Sequence, residues 1–479
     1  MLVNGQGGIG KTTFAAKYWD KYQHKYSHLA FLFVENGIAN ALLSLAPVLK
    51  LEFNTETLEQ QLVLLVQKVS NLQKPCLLIL DNANKEQDLN ENIMVLRRCS
   101  NFHILLTSRL ADFEYAQKYP LGTLKEEKAL EVFRIHYPLL EEAEIPLFQE
   151  IYTAVGGNTL VLELMAKNLS NFNNKLKKRY ALQDLKNDLQ KGLTKLSQSK
   201  EVNTTYQARG TGLRHETPEA IILAMYDLTD LTEAETALLS VFAVLPAENI
   251  ESDTLTTLLQ NDNLDTPLLT LAQKGWLEQS DTSFKTNPVI QEITLHKNQE
   301  RLFQDCTPLI TQLTKLLSAE EDQYYLNFKW LPYTQKIRAL FAEKSELSDF
   351  NNNLALVLQA LGGEENLRQA EGLLEKALAN NIANFGEKAP SVAVRQSNLA
   401  LVLKDLGGEE NLRQAKELLK KALATCYTQM GEQHYYTQIV LDNLFGLYIE
   451  VHTGKPWLQC TEEEVSALIP GFWDWVRDF

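Results

Sequence analysis

The sequence predicts a chain of several domains, in which a parallel α/β domain with a three-layer sheet comes first and an all-α solenoid comes last. Two observations carry this prediction. A glycine-rich loop opens the chain and is followed by apolar, strand-like runs that alternate with stretches of helical periodicity. Towards the other end, a helical unit of 27 residues recurs after 45 residues.

The composition narrows the class of protein. The chain has 479 residues, of which 45% are hydrophobic and 22% charged, and its formal net charge is −15. An acidic balance argues against nucleic acid or an anionic membrane as the main partner. The five cysteines are scattered, so a disulfide framework and a structural zinc are both disfavoured. With no apolar run of about 18 residues and no signal-peptide pattern, we expect a soluble, cytoplasmic protein.

The first candidate site is a phosphate-binding loop. Residues 5–12 match GxxxxGK[ST] in full, after the apolar pair Leu2-Val3 and before a helical run. Glycines at this spacing let backbone N–H groups turn towards phosphate oxygens, and the helix N-terminus adds positive potential. We expect Lys11 to lie between the β- and γ-phosphates and Thr12 to bind Mg²⁺. The residues expected to contact the nucleotide are Gly5, Gly7, Gly8, Ile9, Gly10, Lys11, Thr12 and Thr13.

Three apolar runs predict neighbouring parallel strands, namely 28–34, 75–82 and 103–109. Asp81 closes the second run, where ligands bind in open α/β sheets, so it is the candidate Mg²⁺-supporting carboxylate. Arg109 lies at the polar end of the third run and is placed to reach the γ-phosphate, although a solvated surface arginine is the alternative. Lys11, Asp81 and Arg109 are therefore the candidate catalytic residues.

These residues resemble the NB-ARC division of the STAND NTPases, signalling ATPases related to plant and animal immune receptors. NGQGGIGKTTFA resembles the family's P-loop, LLILDNA its Walker B strand and HILLTSR its sensor-1 strand. Residues 156–162 resemble the GGxPLAL segment of the helical lid over the adenine, and residues 231–289 resemble the winged-helix domain with its terminal MHD-type motif. The resemblance implies that ATP or ADP binds with Mg²⁺, with Thr159 and Asn287 among the nucleotide-binding residues.

The chain departs from the family pattern at three positions. Asn82 replaces the second Walker B acid, and an amide cannot accept the proton of an attacking water, so we expect a slow ATPase at most. Thr159 replaces the proline of the lid segment, and Asn287 replaces the histidine that holds the β-phosphate of ADP in the family. Only four residues precede Gly5, so we expect the family's upstream adenine-contacting segment to be missing and nucleotide affinity to be weakened.

The C-terminal repeats carry a second resemblance. Residues 353–379 recur as 398–424 with five of 27 positions changed, and a degenerate third copy begins at Asn443. Each copy predicts a helix, a Gly-Gly turn and a second helix, which together resemble tetratricopeptide repeats of the kinesin-light-chain type. The resemblance implies a surface that senses a peptide or protein ligand, and a structural spacer is the alternative. The aromatic tail at 470–476 predicts a cap on the last repeat, with a partner-binding anchor as the alternative.

These patterns together predict a nucleotide-gated signalling switch that forms a nucleotide-dependent homo-oligomer. A repeat adaptor with a vestigial nucleotide-binding domain is the first alternative, and a conventional P-loop enzyme is the second. The predicted domains are a P-loop NTPase domain truncated at its N-terminus (1–145), a helical lid with a linker (146–214), a winged-helix domain (215–300), a helical connector (301–345), tetratricopeptide repeats (346–455) and a C-terminal cap (456–479).

Overall fold

The computed structural model describes residues 1–34, 36–53, 56–173, 177, 179–192, 196–204, 214–223, 228, 231–318 and 324–477. The chain divides into two compact units. The first consists of Met1–Ala243, Ala247–Thr257 and Asn261–Asp305, and the second of Val244–Pro246, Leu258–Gln260 and Cys306–Phe479. Residues 205–213 of the predicted linker lie outside the described residues. The six predicted domain boundaries stay predictions.

A five-stranded sheet forms the core of the first unit. Its strands are β1 Leu2–Asn4, β2 His28–Phe33, β3 Cys76–Asp81, β4 Phe102–Ser108 and β5 Lys118–Pro120. Their order is β2-β3-β4-β1-β5, and every neighbouring pair is parallel. All six residues of β3 are buried because helices cover both faces of the sheet. The predicted parallel, three-layer arrangement and its three predicted strands are therefore confirmed.

The helices of this α/β region alternate with its strands and then continue beyond them. Helix α3 begins with a capping box in which Thr57 and Gln60 bond each other's backbone N–H groups. Helix α7 begins after Asn158, whose side chain accepts a hydrogen bond from the N–H of Val161. The helices are α1 Lys11–Tyr22, α2 Ile38–Leu43, α3 Leu58–Ser70, α4 Glu86–Arg98, α5 Glu126–His136, α6 Ile145–Ala154, α7 Thr159–Phe172 and α8 Leu182–Lys191.

The remainder of the first unit contains a short strand pair, several helices and a small antiparallel sheet. The sheet has the order β8-β10-β9. The elements are β6 Val202–Thr204, β7 Arg214–Glu216, α9 Pro218–Leu223, α10 Glu233–Val244, β8 Ile250–Glu251, α11 Ser252–Leu259, α12 Asp265–Gln273, β9 Glu278–Ser280, β10 Ser283–Lys285 and α13 Pro288–Lys297. This succession of helices and a hairpin lies where the sequence analysis places the winged-helix domain.

Helices make up the second unit and form a solenoid. In the repeats, α16 pairs with α17 and α18 with α19, and each pair then packs against the helix that follows. The Gly-Gly turns have positive φ angles of 74° and 86° at Gly362 and Gly363, which favour glycine. The helices are α14 Leu302–Leu317, α15 Gln335–Leu340, α16 Ser348–Leu361, α17 Glu364–Phe385, α18 Pro390–Leu406, α19 Glu409–Met430, α20 Tyr435–Thr453, α21 Glu462–Leu468 and α22 Phe472–Arg477.

The aromatic tail packs on the last long helix of the solenoid. The ring of Phe472 lies 5.0 Å from that of Phe445 and 5.4 Å from that of Tyr448, centroid to centroid. Lys416 of α19 donates a hydrogen bond of 2.5 Å to the carbonyl of Trp475. The role of this segment as a cap stays a prediction. Within the described ranges, none of the helices combines the length and the apolar character that crossing a bilayer requires.

Candidate functional site

The glycine-rich loop connects the end of β1 to the start of α1. Gly5 lies so close to the backbone that a Cβ built on it would be 2.6 Å from the carbonyl oxygen of Leu121. Gly10 is the N-cap of α1 and has a φ of 104°, although a Cβ there would meet nothing within 4 Å. Glycine is therefore needed at residue 5 for space and at residue 10 for backbone conformation.

Lys11 is folded back onto its own loop. Its Nζ donates to the carbonyl oxygens of Gly5 and Gln6, at 2.7 Å each. Burial, and to a smaller extent the positive charge of Arg109, lower the pKa of Lys11 to about 7, and the carboxylate of Asp81 partly opposes this shift. An anion placed in the loop favours the charged form of this amine and raises its pKa again.

A hydroxyl and a carboxylate meet beside the loop. The Oγ1 of Thr12 donates to the two carboxylate oxygens of Asp81, at 3.1 and 3.0 Å. The Oγ1 of Thr107 donates to the same carboxylate at 2.5 Å. Asp81 is fully buried, and this burial raises its pKa against the lowering effect of the two hydroxyls and of Lys11. Hydroxyl and carboxylate oxygens are the donor set that Mg²⁺ prefers.

Two asparagines join the ends of β3 and β4 and fix the backbone of Arg109. Asn84 Nδ2 donates to the Oδ1 of Asn82 at 2.5 Å, and the N–H of Arg109 donates to the Oδ1 of Asn84 at 2.8 Å. Asn82 has a φ of 68°, and its N–H donates to the Oγ1 of Thr107. The side chain of Asn82 is thus engaged with Asn84. The sequence analysis missed Asn84, for which the only signal was its place just after the β3 strand.

The N-terminus of α7 rests directly on the loop. Asn158 Nδ2 donates to the carbonyl of Gly7 at 2.8 Å, and the N–H of Leu160 donates to the carbonyl of Gly8 at 2.9 Å. Between them, the Oγ1 of Thr159 is buried and has no hydrogen-bond partner among the described residues. The structure therefore brings Thr159 to the loop. Asn158 was not among the predicted site residues, although an asparagine just before a helix is a typical N-cap signal.

Asn287 lies against the turn that precedes α7. Its Oδ1 accepts a hydrogen bond from the N–H of Val289 and so caps α13, and the residue is buried. A Cβ on Gly156 would lie 2.7 Å from the Nδ2 of Asn287. The structure thus brings Asn287 to the Gly156-Gly157 turn, which leads into the loop contacts of Asn158.

The segment from Gln273 to Glu278 also contacts this site. Gln6 of the loop donates through Nε2 to the Oε1 of Glu278. A Cβ on Gly275 would lie 2.2 Å from the carbonyl oxygen of Arg109, and the guanidinium of Arg109 is 6.0 Å from the ring centroid of Trp276. The sequence offered no signal for these contacts.

The remaining predicted residues lie on the loop itself or beside it. Ile9 is buried, and its Cδ1 would lie 3.1 Å from a Cβ on Gly5. Thr13 is exposed in the first turn of α1, next to Thr12. Arg109 is half-buried at the end of β4 and lowers the pKa of Lys11 through its charge. The predicted residues thus lie on the loop and the start of α1, at the ends of β3 and β4, at the start of α7 in the case of Thr159, and against the turn before α7 in the case of Asn287.

Comparison with known proteins identifies the N-terminal region. Residues 1–136 match the NB-ARC domain. Among solved structures, the chain is similar to the crystal structure of a signal transduction ATPase with numerous domains (STAND) protein with a tetratricopeptide repeat sensor from Pyrococcus horikoshii. The two are 16% identical, the match covers 100% of this chain and 68% of that chain, and the TM-score is 0.29. No curated protein matches the chain by sequence.

Proposed function

Because residues 1–136 form an NB-ARC domain, we propose that the chain is a nucleotide-gated signalling switch of the STAND type. It binds ADP or ATP on the glycine-rich loop, a ligand binds its repeats, and the bound nucleotide controls homo-oligomerisation in the cytoplasm. One observation carries the proposal: Asn158 and Leu160 bond the loop carbonyls of Gly7 and Gly8. A nucleotide that reshapes this loop therefore also moves α7.

The loop residues share the work of holding the phosphates. Lys11 leaves the loop carbonyls to bind the β- and γ-phosphates, and Thr12 with Asp81 supports Mg²⁺. Arg109, half-buried at the end of β4, interacts with the γ-phosphate. The backbone groups that surround the phosphates belong to Gly5, Gly7, Gly8, Ile9, Gly10 and Thr13.

Two residues outside the α/β region complete the nucleotide site in this proposal. Thr159 contacts the adenine side through its Oγ1, which is buried and unpartnered among the described residues. A buried hydroxyl of this kind gains free energy from a ligand that bonds it. Asn287, which lies against Gly156, supports the turn that leads into α7.

Hydrolysis is slow in this proposal. Asn82 stands where a general base is required, and its oxygen already accepts the 2.5 Å hydrogen bond from Asn84. A neutral amide provides no proton acceptor for an attacking water. We expect turnover below about one per second, the lower end of typical enzyme rates, and a measured rate well above this would favour a conventional kinase instead.

The sensing surface that we propose lies on the first helices of the repeats. Positions three or four residues apart on α18 are half-exposed, namely Val394, Asn398 and Leu401. The equivalent positions on α20 are also half-exposed, whereas those on α16 are exposed at Asp349 and half-exposed at Asn353 and Leu356. Charged groups lie at one end, where Lys404 is 3.8 Å from Asp405 and from Glu450. Such a mixture of apolar and polar positions suits a peptide or protein segment.

The experiment that tests the switch measures molecular mass in solution by light scattering. The wild-type chain, Lys11→Ala and Lys17→Ala are each incubated with MgADP or with a non-hydrolysable ATP analogue. Lys17 is the matched control because it is an exposed lysine on the same helix. We expect a larger assembly with the ATP analogue for the wild type and Lys17→Ala, and no change for Lys11→Ala.

The repeat adaptor makes the opposite prediction. If the nucleotide-binding domain is vestigial, neither nucleotide binds, all three proteins keep one mass, and Lys11→Ala captures partners as well as the wild type does. That result would favour the repeat adaptor over the nucleotide-gated switch.

A further inference from the structure

Resting on the proposed nucleotide site, we propose that Gln6 and Glu278 form a clasp that competes with nucleotide for the conformation of the phosphate-binding loop. The two residues are 272 positions apart, and the Nε2 of Gln6 donates to the Oε1 of Glu278. Gln6 is the second residue of the glycine-rich loop, whereas Glu278 is the first residue of β9. The clasp thus ties the loop to the small antiparallel sheet of the first unit.

Glu278 is held in place from its other side. Its Oε2 lies 3.1 Å from the Nζ of Lys285, and the two residues face each other in the β9–β10 register. One carboxylate oxygen therefore points to a lysine and the other to Gln6. The ion pair with Lys285 thus orients the other carboxylate oxygen of Glu278 towards Gln6.

Residue 6 is held by its main chain as well as by its side chain. The carbonyl of Gln6 accepts one of the two hydrogen bonds from Lys11 Nζ, at 2.7 Å, while its amide group reaches Glu278. Lys11 must leave this carbonyl before it can bind a phosphate. The position of the Lys11 amine and the position of the Gln6 side chain are thus coupled through a single residue.

Two effects make the clasp oppose nucleotide binding. Glu278 carries a negative charge next to a loop that is built to surround the negative charges of a polyphosphate, and Lys285 offsets part of it. The clasp also holds the backbone of residue 6 in the conformation that engages Lys11. Both effects oppose nucleotide binding. By reciprocity, a bound nucleotide weakens the clasp by the same factor and releases β9 from the loop.

A double-mutant cycle tests the clasp. The dissociation constant of MgADP is measured by calorimetry for the wild type, Gln6→Ala, Glu278→Ala and the double variant. We expect Gln6→Ala to bind about fivefold more tightly, the lower end of typical coupling between sites, and Glu278→Ala to bind at least as tightly because it also removes the negative charge. The double variant should bind no more tightly than Glu278→Ala. Glu251→Ala, which removes a carboxylate of the same sheet that is bonded to Thr282, should leave binding unchanged.

Two further measurements separate the clasp from simpler effects. Glu278→Gln removes the negative charge and keeps the size of the side chain. If only the charge of Glu278 weakened binding, Glu278→Gln would bind MgADP as tightly as Glu278→Ala does. Gln6→Ala would then bind MgADP as the wild type does. In the wild type, we expect MgADP to speed amide hydrogen exchange at residues 278–285. That measurement needs no variant and stands even if one of the variants does not fold.

Several results would overturn the proposal. Unchanged affinities, additive gains in the double variant, or the pattern expected for charge alone would each refute the clasp while leaving nucleotide binding intact. If the wild type binds no nucleotide, or if Lys11→Ala binds as the wild type does, the proposed nucleotide site falls and the clasp falls with it. The two failures are thus distinguishable.

Discussion

Each of the two units has its own internal hydrogen bonds, and these differ in how far apart along the chain the bonded residues lie. In the first unit, Gln6 bonds Glu278 across 272 positions, and Asn158 bonds Gly7 across 151. In the second unit, Asn398 bonds Asn352 at 2.8 Å and Gln359 bonds Asp405 at 2.6 Å, each across 46 positions.

This difference indicates how each unit responds to change. Each long-range contact of the first unit is made once, so its loss uncouples one segment from another. The contacts of the second unit recur at the repeat spacing, and stability in such arrays is a sum over neighbours. This difference suits the proposed switch in the first unit and the proposed ligand surface in the second.

The largest expected effect compares one glycine in each unit. Both substitutions place alanine in a left-handed backbone conformation, with φ of 75° at Gly275 and 67° at Gly454. The Cβ of Gly275→Ala would also lie 2.2 Å from the carbonyl oxygen of Arg109, whereas the Cβ of Gly454→Ala would meet nothing within 4 Å. We expect Gly275→Ala to lower the free energy of unfolding by about 3 kcal/mol and Gly454→Ala by about 1 kcal/mol. Urea denaturation measures both, and equal losses would contradict the close approach at Arg109.

The next comparison replaces one hydrogen-bonded asparagine in each unit, the buried Asn158 and the half-buried Asn398. Asn158→Ala removes both the N-cap of α7 and the bond to Gly7, so we expect a loss of about 2 kcal/mol in unfolding free energy and weaker ADP binding. Asn398→Ala removes the bond to Asn352, and we expect a loss of about 1 kcal/mol with ADP binding unchanged. Thermal and urea denaturation with calorimetry test the pair. An effect of Asn398→Ala on ADP affinity would contradict the division of roles.

The affinity for ADP should depend on pH through Lys11 of the first unit. The pKa of Lys11 is about 7 in the free protein because of burial and Arg109, and bound phosphates raise it. Above pH 7, the free amine is largely neutral and must take up a proton on binding. ADP affinity should therefore fall by up to tenfold per pH unit above pH 7, until the raised pKa of the complex is reached.

Calorimetry in two buffers of different ionisation enthalpy measures this proton directly. At pH 8.5 we expect nearly one proton to be taken up per nucleotide bound, both for the wild type and for Lys17→Ala. Binding without proton uptake would show that Lys11 is already charged in the free protein.

The smallest effect on stability is expected from the duplication of a whole repeat, although this is the largest change in sequence. Duplicating residues 353–397 in tandem lengthens the solenoid by one repeat whose junctions copy existing ones. We expect the melting temperature of the second unit to shift by only a few degrees, with a proportional gain in helical circular dichroism. A sharp loss of stability would mean that the repeats are not interchangeable.

The sequence predicted those features that a local pattern encodes. The continuous apolar run before Asp81 indicated a buried parallel strand, and all six residues of β3 are buried. The glycine-rich motif located the loop, and the 45-residue recurrence located the solenoid.

Contacts made by tertiary packing could not be predicted. Asn84 reaches Arg109 only because β3 and β4 are neighbours in the sheet, and no spacing along the chain signals this. Gln6 and Glu278 are ordinary polar residues whose pairing depends on how the small sheet packs on the loop. Neither a period nor a motif relates residues so far apart.

The most direct test of the account is equilibrium dialysis of the purified chain against labelled MgADP and MgATP. Bound nucleotide would be identified by chromatography after denaturation. The account predicts one nucleotide per chain for the wild type and for Lys17→Ala, and less than about a tenth of that for Lys11→Ala. A folded wild-type chain that binds neither nucleotide, or a Lys11→Ala variant that binds as much as the wild type, would contradict it.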